Sequence, residues 1–177
     1  SSDVCSSDLK KNSLIFGAMR AHDWFEDSKR LAFTFSRYKF VSKMLAGKAK
    51  VLEIGAGDGF ASKLILDEVK NLYISDFKNE FLTRISQLYS GIKKVQVIKF
   101  NPLTDKINEK FDAIYLLDVM EHITIKNDDK LMNSLTLHLK EHGVCIIGMP
   151  TIESQKYASS GSKAGHVNCK TGEELKT

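Results

Sequence analysis

Val51-Leu-Glu-Ile-Gly-Ala-Gly-Asp-Gly-Phe60 is the stretch on which the fold turns. An apolar run of β-forming residues carries one carboxylate, Glu53, and breaks into glycines at alternate positions, Gly55, Gly57 and Gly59. A chain that leaves a buried strand, reverses tightly and lets a ligand touch its backbone needs residues without a Cβ. The spacing therefore predicts a nucleotide-binding turn, followed by a helix that aims unpaired N–H groups at whatever sits above it. A third glycine of the dinucleotide pattern G-x-G-x-x-G would fall at position 60, where Phe60 stands, so an NAD site is disfavoured. A glycine-rich connection with no ligand is the alternative reading of this stretch alone.

Working outward, Ala61 to Val69 places Leu64, Ile65 and Val69 near one helical face, and Asn71-Leu-Tyr-Ile-Ser-Asp76 reads as a short strand ending in a carboxylate. Asp76 stands about twenty residues after the first glycine, where an acid at the tip of the neighbouring strand accepts hydrogen bonds from ribose hydroxyls. A solvated turn aspartate is the other possibility. Glu80 to Ser90 suits a helix, Val95 to Phe100 a strand ending at Asn101, and Phe111 to Leu117 a strand ending at Asp118. A helix from Asp128 to Glu141 and a fifth strand from Gly143 to Pro150 follow, with Pro150 where pairing should stop. This alternation predicts an α/β, doubly wound, mostly parallel sheet with helices on both faces and ligands at the carboxyl ends of its strands. Upstream, Leu31, Phe35, Tyr38, Val41 and Leu45 recur at helical spacing before Gly47, so a helix should pack against the first strand. Ala21 to Glu26 reads as a loop or short helix whose Trp24 belongs in the core, a substrate contact shared with His22 being the alternative.

The run Glu53-Ile-Gly55-x-Gly57-x-Gly59 resembles the first motif of class I S-adenosylmethionine-dependent methyltransferases. Phe111-Asp-Ala-Ile-Tyr-Leu-Leu-Asp-Val-Met-Glu-His122 resembles the F-D-x-I-x-x-x-D-V-x-E-H pattern of their fourth strand. The resemblance spans roughly Arg37 to Lys176; it specifies a fold and a cofactor but not an acceptor. It implies a Rossmann-like sheet in which five of the usual seven strands are present, S-adenosyl-L-methionine as cofactor, and methyl transfer to an O or N nucleophile. Glu53 and the turn Gly55, Ala56, Gly57, Asp58 and Gly59 would hold the methionine portion. Asp76, with Phe77 beside it, would take the ribose, and Asn101, with Leu103 nearby, the adenine. Leu117 and Asp118 would lie beside the methionine amino group. Arg37 either reaches the cofactor carboxylate or is a solvated helix-face arginine. Glu121, His122 and His166 are the candidate catalytic groups, His166 because Gly165-His-Val-Asn168 resembles a G-H-V-N segment at the same place in relatives. A surface-loop histidine is the alternative there. Some relatives bind magnesium near an acidic-His pair, but two adjacent ligands are too few, and no metal site is expected.

With 177 residues, 42% hydrophobic and 27% charged, the chain is one globular domain's worth. A net charge of +4, with Lys and Arg scattered, does not point to nucleic acid, and no apolar stretch reaches membrane length. A small-molecule acceptor, such as a sugar or glycan precursor, is the expected partner. The runners-up are an NAD- or nucleotide-sugar-dependent oxidoreductase, an RNA methyltransferase and a binding module that does not transfer methyl. The three cysteines lack metal spacing, which fits a reducing cytoplasm. Residues 1–9 resemble a translated sequencing adapter and are set apart with Cys5. Residues 10–47 form an N-terminal helical segment and 48–177 the cofactor-binding domain. Thr171-Gly-Glu-Glu174 is a capping box, and the chain is expected to be cut inside the helix it opens. The fifth strand would then be an unprotected edge and the chain prone to aggregate.

Overall fold

The structure, a computed structural model, describes residues 17–175. The residues set apart at the N-terminus, and most of that segment's approach to the first helix, lie outside this range. Five strands, β1 (Lys50–Ile54), β2 (Asn71–Asp76), β3 (Val95–Lys99), β4 (Phe111–Leu117) and β5 (Leu139–Gly148), form one sheet in the order β3-β2-β1-β4-β5. Every neighbouring pair is parallel. The strand order reverses direction between β1 and β4, which opens a crevice at their carboxyl ends. The expected α/β, Rossmann-like architecture is what the chain adopts.

Central strands of a parallel sheet are covered on both faces, so they read as unbroken apolar runs rather than alternating ones. β4 is the case in point: apart from Asp112 its residues are all buried, and Val51, Leu52, Leu72, Ile74, Ile114 and Leu116 are fully sealed. One face packs against α2 (Ser28–Met44), α3 (Lys63–Leu66) and α4 (Asn79–Leu88) through Tyr38, Val41, Leu45, Ile65 and Ile85. The opposite face packs against α5 (Asp128–His138) through Leu131 and Leu135, with Phe100 and Met120 filling the space between. The helix expected from the 31–45 spacing is therefore α2, it ends before Gly47 (φ 80), and it shares the core of the sheet.

Three expectations need correction. The helix after the glycine turn is only four residues long and is flanked by tight turns in which Leu64 N–H bonds Ala61 C=O and Ile65 N–H bonds Ser62 C=O. Ala61, Ile65, Leu66 and Val69 are all buried even so. α5 stops at His138, three residues short of the expected end, because Leu139 already pairs with Phe111. The chain then bulges through His142 (φ 62) before Val144 resumes pairing opposite Ala113. His138 seals that junction. Its Nε2 accepts Ile107 N–H at 3.0 Å. That leaves Nδ1–H to donate to Ser134 C=O at 2.7 Å, since a neutral imidazole has one donor and one acceptor. Finally, Trp24 lies on α1 (Ala18–Glu26) and is 54% exposed rather than in the core, because α1 presents Asp23 and Arg20 inward instead.

β5 ends the strand order among the described residues, and Val144, Cys145, Ile146 and Ile147 are only half-buried. Burial still pushes the Cys145 thiol up to about 11. The expected capping box forms. Thr171 N–H donates to Glu174 Oε2 at 2.8 Å, and Glu174 N–H to Thr171 Oγ1 at 3.1 Å. No helix among the described residues is long and apolar enough to cross a membrane.

Candidate functional site

The turn after β1 is built by backbone conformations that only glycine adopts without strain. Gly55 (φ 73) and Gly57 (φ 58) both lie in the left-handed region, and a Cβ on Gly57 would stand 2.8 Å from Met19 Sδ of α1. The N–H groups of the turn itself are paired within the fold. Gly55 and Ala56 both donate to Ser75 C=O at 3.0 Å, Gly57 to Asp76 Oδ2 at 3.1 Å, and Gly59 to Ala56 C=O at 3.1 Å. Asp76 is buried and also accepts Lys78 N–H at 2.9 Å, so its carboxylate moors the turn to the tip of β2. Asp58 is buried as well, accepting Arg20 N–H at 3.1 Å, which fastens α1 across the turn. These side chains and backbones enclose a cleft of about 80 Å³ lined by Met19, Tyr38, Gly55, Ala56, Gly57, Leu117 and Asp118 among others.

Glu53 lies below the turn and is fully buried. Tyr38 Oη donates to its Oε1 at 2.7 Å, and the buried hydroxyls of Ser62 and Tyr115 stand beside the same carboxylate. Burial raises the Glu53 carboxyl above its usual range, and burial also raises the phenols of Tyr38 and Tyr115.

Asp118 follows β4 directly, in the left-handed region at φ 56, with its N–H bonded to Gly148 C=O at 2.8 Å. Both its carboxylate oxygens accept from Arg37, a bidentate pair spanning 81 residues of sequence. Such fork-on-fork pairing is among the stronger hydrogen-bonded arrangements. The Arg37 guanidinium also stacks 4.8 Å from the Phe33 ring centroid, a cation–π contact. Arg37 is thus paired across the fold rather than solvated. Phe77 is exposed, and Asn101 Oδ1 accepts Leu103 N–H at 3.0 Å, so both stand on the rim of the sheet and outside the enclosed cleft.

The candidate catalytic residues meet beside this cleft. Glu121 and His122 form a 3-10 turn (Met120–His122) after β4, and His166 caps α6 (Ser160–Gly165). One ligand atom from each of Glu121, His122 and His166 lies within 4.8 Å of the other two, and the imidazole centroids are 5.1 Å apart. The reason for expecting no metal was a shortage of ligands, and the fold supplies the missing third one. Glu121 is completely buried, and neither carboxyl oxygen has a hydrogen-bond partner. Burial raises it to about 7, helped by Asp118, while burial and His122 lower His166. Both shifts follow from the cost of holding a charge away from water. No signal in the sequence foretold two of the groups that hold this arrangement: Gln155, whose Oε1 is 2.9 Å from His166 Nδ1, and Arg20 over the glycine turn.

An open parallel sheet with a glycine turn and an acidic strand tip at its switch point defines a Rossmann-like α/β protein built to hold a nucleotide-type ligand. A family model described as "Methyltransferase domain" matches residues 52–145, and the chain belongs to this family. A probable polyketide synthase 42 of Dictyostelium discoideum is 29% identical over an alignment of 126 residues that covers 59% of this chain, and the chain spans only 5% of that protein's length. The N-methyltransferase NodS of Bradyrhizobium japonicum WM9 superimposes with a TM-score of 0.69 at 16% identity, covering 85% of this chain and 82% of NodS. S-adenosylmethionine-bound CalS10 of Micromonospora echinaspora, an amino pentose methyltransferase, superimposes with a TM-score of 0.58 at 17% identity, covering 80% of this chain and 60% of CalS10.

Proposed function

We propose that this chain binds S-adenosyl-L-methionine in the cleft between the glycine turn and Asp118 and transfers its methyl group to an O or N nucleophile of a small-molecule acceptor. The observation that carries this reading is Asp118, which lines the cleft opposite the turn and is paired with Arg37. A carboxylate in the cleft wall and the guanidinium paired with it are complementary to the ammonium and carboxylate of an α-amino acid, so the ligand's methionine end can replace each charge's present partner. Asp76 offers acceptors for ribose hydroxyls, and Asn101 Oδ1 keeps a second lone pair for the adenine amino group.

Volume adds a requirement. Ligand sites are usually about 300–1,000 Å³, and the enclosed space is about 80 Å³. α1 must therefore move off the turn to admit the ligand, breaking the Arg20–Asp58 contacts and lifting Met19 from Gly57. When bound, the cofactor supplies an activated methyl group on a sulfonium. The chain's own residues then position the acceptor and exclude water, contributions worth about 7–11 kcal/mol in well-oriented systems. Glu121, His122 and His166 stand next to Asp118 on the side left for the acceptor and are the groups able to handle its proton.

Amino pentose methylation by CalS10 supports a sugar or glycan-precursor acceptor as the first class to assay. The unpaired Cys145 and Cys169 agree with a reducing cytoplasm. Against an oxidoreductase stands Tyr89, which has a lysine four residues on but is buried with its hydroxyl donated to Gly59 C=O at 2.7 Å. The test is thermal melting with S-adenosylmethionine, S-adenosylhomocysteine or NAD, since a ligand of the native state raises the midpoint. A rise with the adenosylated pair alone supports the reading; a rise with NAD alone overturns it. Labelled-methyl transfer to small-molecule, protein and RNA fractions then identifies the acceptor class.

A further inference from the structure

We infer that Glu121, His122 and His166 form a site for one divalent first-row transition ion, held by two imidazole nitrogens and one carboxylate. The ion's role in handling the acceptor rests on the methyl-transfer reading above; its binding does not.

Three independent features make this a built site. Both imidazoles are oriented from behind. His122 Nδ1 lies 2.9 Å from Gly165 C=O, which requires the proton on Nδ1, and His166 Nδ1 lies 2.9 Å from the Gln155 side-chain amide, whose Oε1 in this placement accepts the same proton. Each ring thereby keeps an unprotonated Nε2, the arrangement that an oxygen behind the ring imposes on metal-binding histidines. Next, Glu121 is buried with both oxygens unpartnered, and a buried carboxylate without a partner is costly. His122 does not satisfy it, because Nε2 is 4.0 Å from Glu121 Oε1, beyond hydrogen-bond reach. Last, the two halves of the site are clamped together. Glu121 C=O accepts both Val167 N–H at 2.8 Å and Asn168 N–H at 3.1 Å, and buried Asn168 donates to Asp128 at 2.7 Å.

The three ligand atoms lie within 4.8 Å of one another. The widest separation needs to close by about 1.4 Å to reach bond lengths of about 2.0–2.2 Å around a shared tetrahedral ion. His122 is half-exposed and can rotate to do so. Nitrogen donors select Zn²⁺, Co²⁺ or Mn²⁺ over Mg²⁺ and Ca²⁺, which prefer all-oxygen shells. Three protein ligands leave coordination positions open for water or for an acceptor hydroxyl. In that role the three residues act through the ion rather than by taking the proton themselves.

The test is calorimetric titration of the metal-stripped full chain with Zn²⁺, Co²⁺ and Mg²⁺, together with the visible spectrum of the Co²⁺ form. The variants are Glu121→Gln, His166→Asn and Gln155→Ala, each checked by circular dichroism. One equivalent of Zn²⁺ or Co²⁺ is expected, with weaker Mg²⁺ binding. Affinity should fall at least about 100-fold in the folded Glu121 and His166 variants and about 10–100-fold in Gln155→Ala. No binding by wild type, or binding and a Co²⁺ spectrum unchanged in all folded variants, overturns the site. The S-adenosylhomocysteine melting shift is read separately, so a chain that binds metal but not the nucleoside sinks only the cofactor reading.

Discussion

Replacing Asp76 separates its structural role from its ligand role. Its carboxylate is 4% exposed and accepts two backbone N–H groups, from Gly57 in the glycine turn and from Lys78 at the start of α4. Asp76→Ala strands the Gly57 N–H in a buried position, at a cost of about 1–3 kcal/mol. Lys78 is exposed. Its N–H can turn to water, so that loss adds at most about 1 kcal/mol. The expected sum is about 3 kcal/mol, and at about 2–4 °C per kcal/mol for a chain of this size the midpoint should fall by about 6–12 °C. Asp76→Asn keeps one acceptor oxygen for Gly57 and should lose about half as much. A melting assay of wild type and both variants, each with and without S-adenosylhomocysteine, reads both effects. The Asn variant should melt as a folded protein yet show a much reduced ligand shift, because an amide accepts from two ribose hydroxyls less well than a carboxylate. If the Ala variant melts within about 2 °C of wild type, or no lower than the Asn variant, Asp76 does not moor the turn and the reasoning fails.

Other consequences follow from the same geometry. At Gly55, φ 73 is strained for alanine and an added methyl overlaps Val119 Cγ2. Gly55→Ala should therefore destabilise the fold by about 1–3 kcal/mol; urea unfolding with an unchanged midpoint would refute it. The chain's single tryptophan lies on α1, so if α1 must move to admit the nucleoside, Trp24 fluorescence should change saturably on titration with S-adenosylhomocysteine; binding seen by calorimetry without a fluorescence change contradicts the motion. Lys140 and Lys50 N–H hold the Asp112 carboxylate below its usual range, which ties β1, β4 and the bulge of β5 together. A depressed carboxyl contributes stability above its unfolded value of about 3.9 and loses it as pH falls through the lower folded value. Lys140→Met should therefore narrow the loss of stability below about pH 4, and acid unfolding curves that superimpose for variant and wild type would contradict this.

Much of the fold and part of the site were legible in the sequence. Strand boundaries at Asn71–Asp76 and Phe111–Leu117 follow from short apolar runs that stop at a carboxylate, because a strand covered on both faces must be apolar along its length. The glycine turn was legible because left-handed backbone is a property of single residues. Tertiary structure decided the rest. Arg37 and Asp118 are joined across 81 residues, and His122 meets Gly165 across 43, distances over which sequence pattern carries no information about contact. The end of α5 was set by the pairing of Leu139 with Phe111, which overrode a helical pattern running on to Glu141. Whether Trp24 is core or surface depended on which face of α1 met the glycine turn, and the ion pairs of Arg20 with Asp23 and Asp58 decided that. The sequence by itself determined what each segment is and which residue types stand at the strand ends, because those follow from local conformation and burial. Only the packed sheet decided which of those residues face one another, and hence that Glu121, His122 and His166 bring their ligand atoms within 4.8 Å of one another.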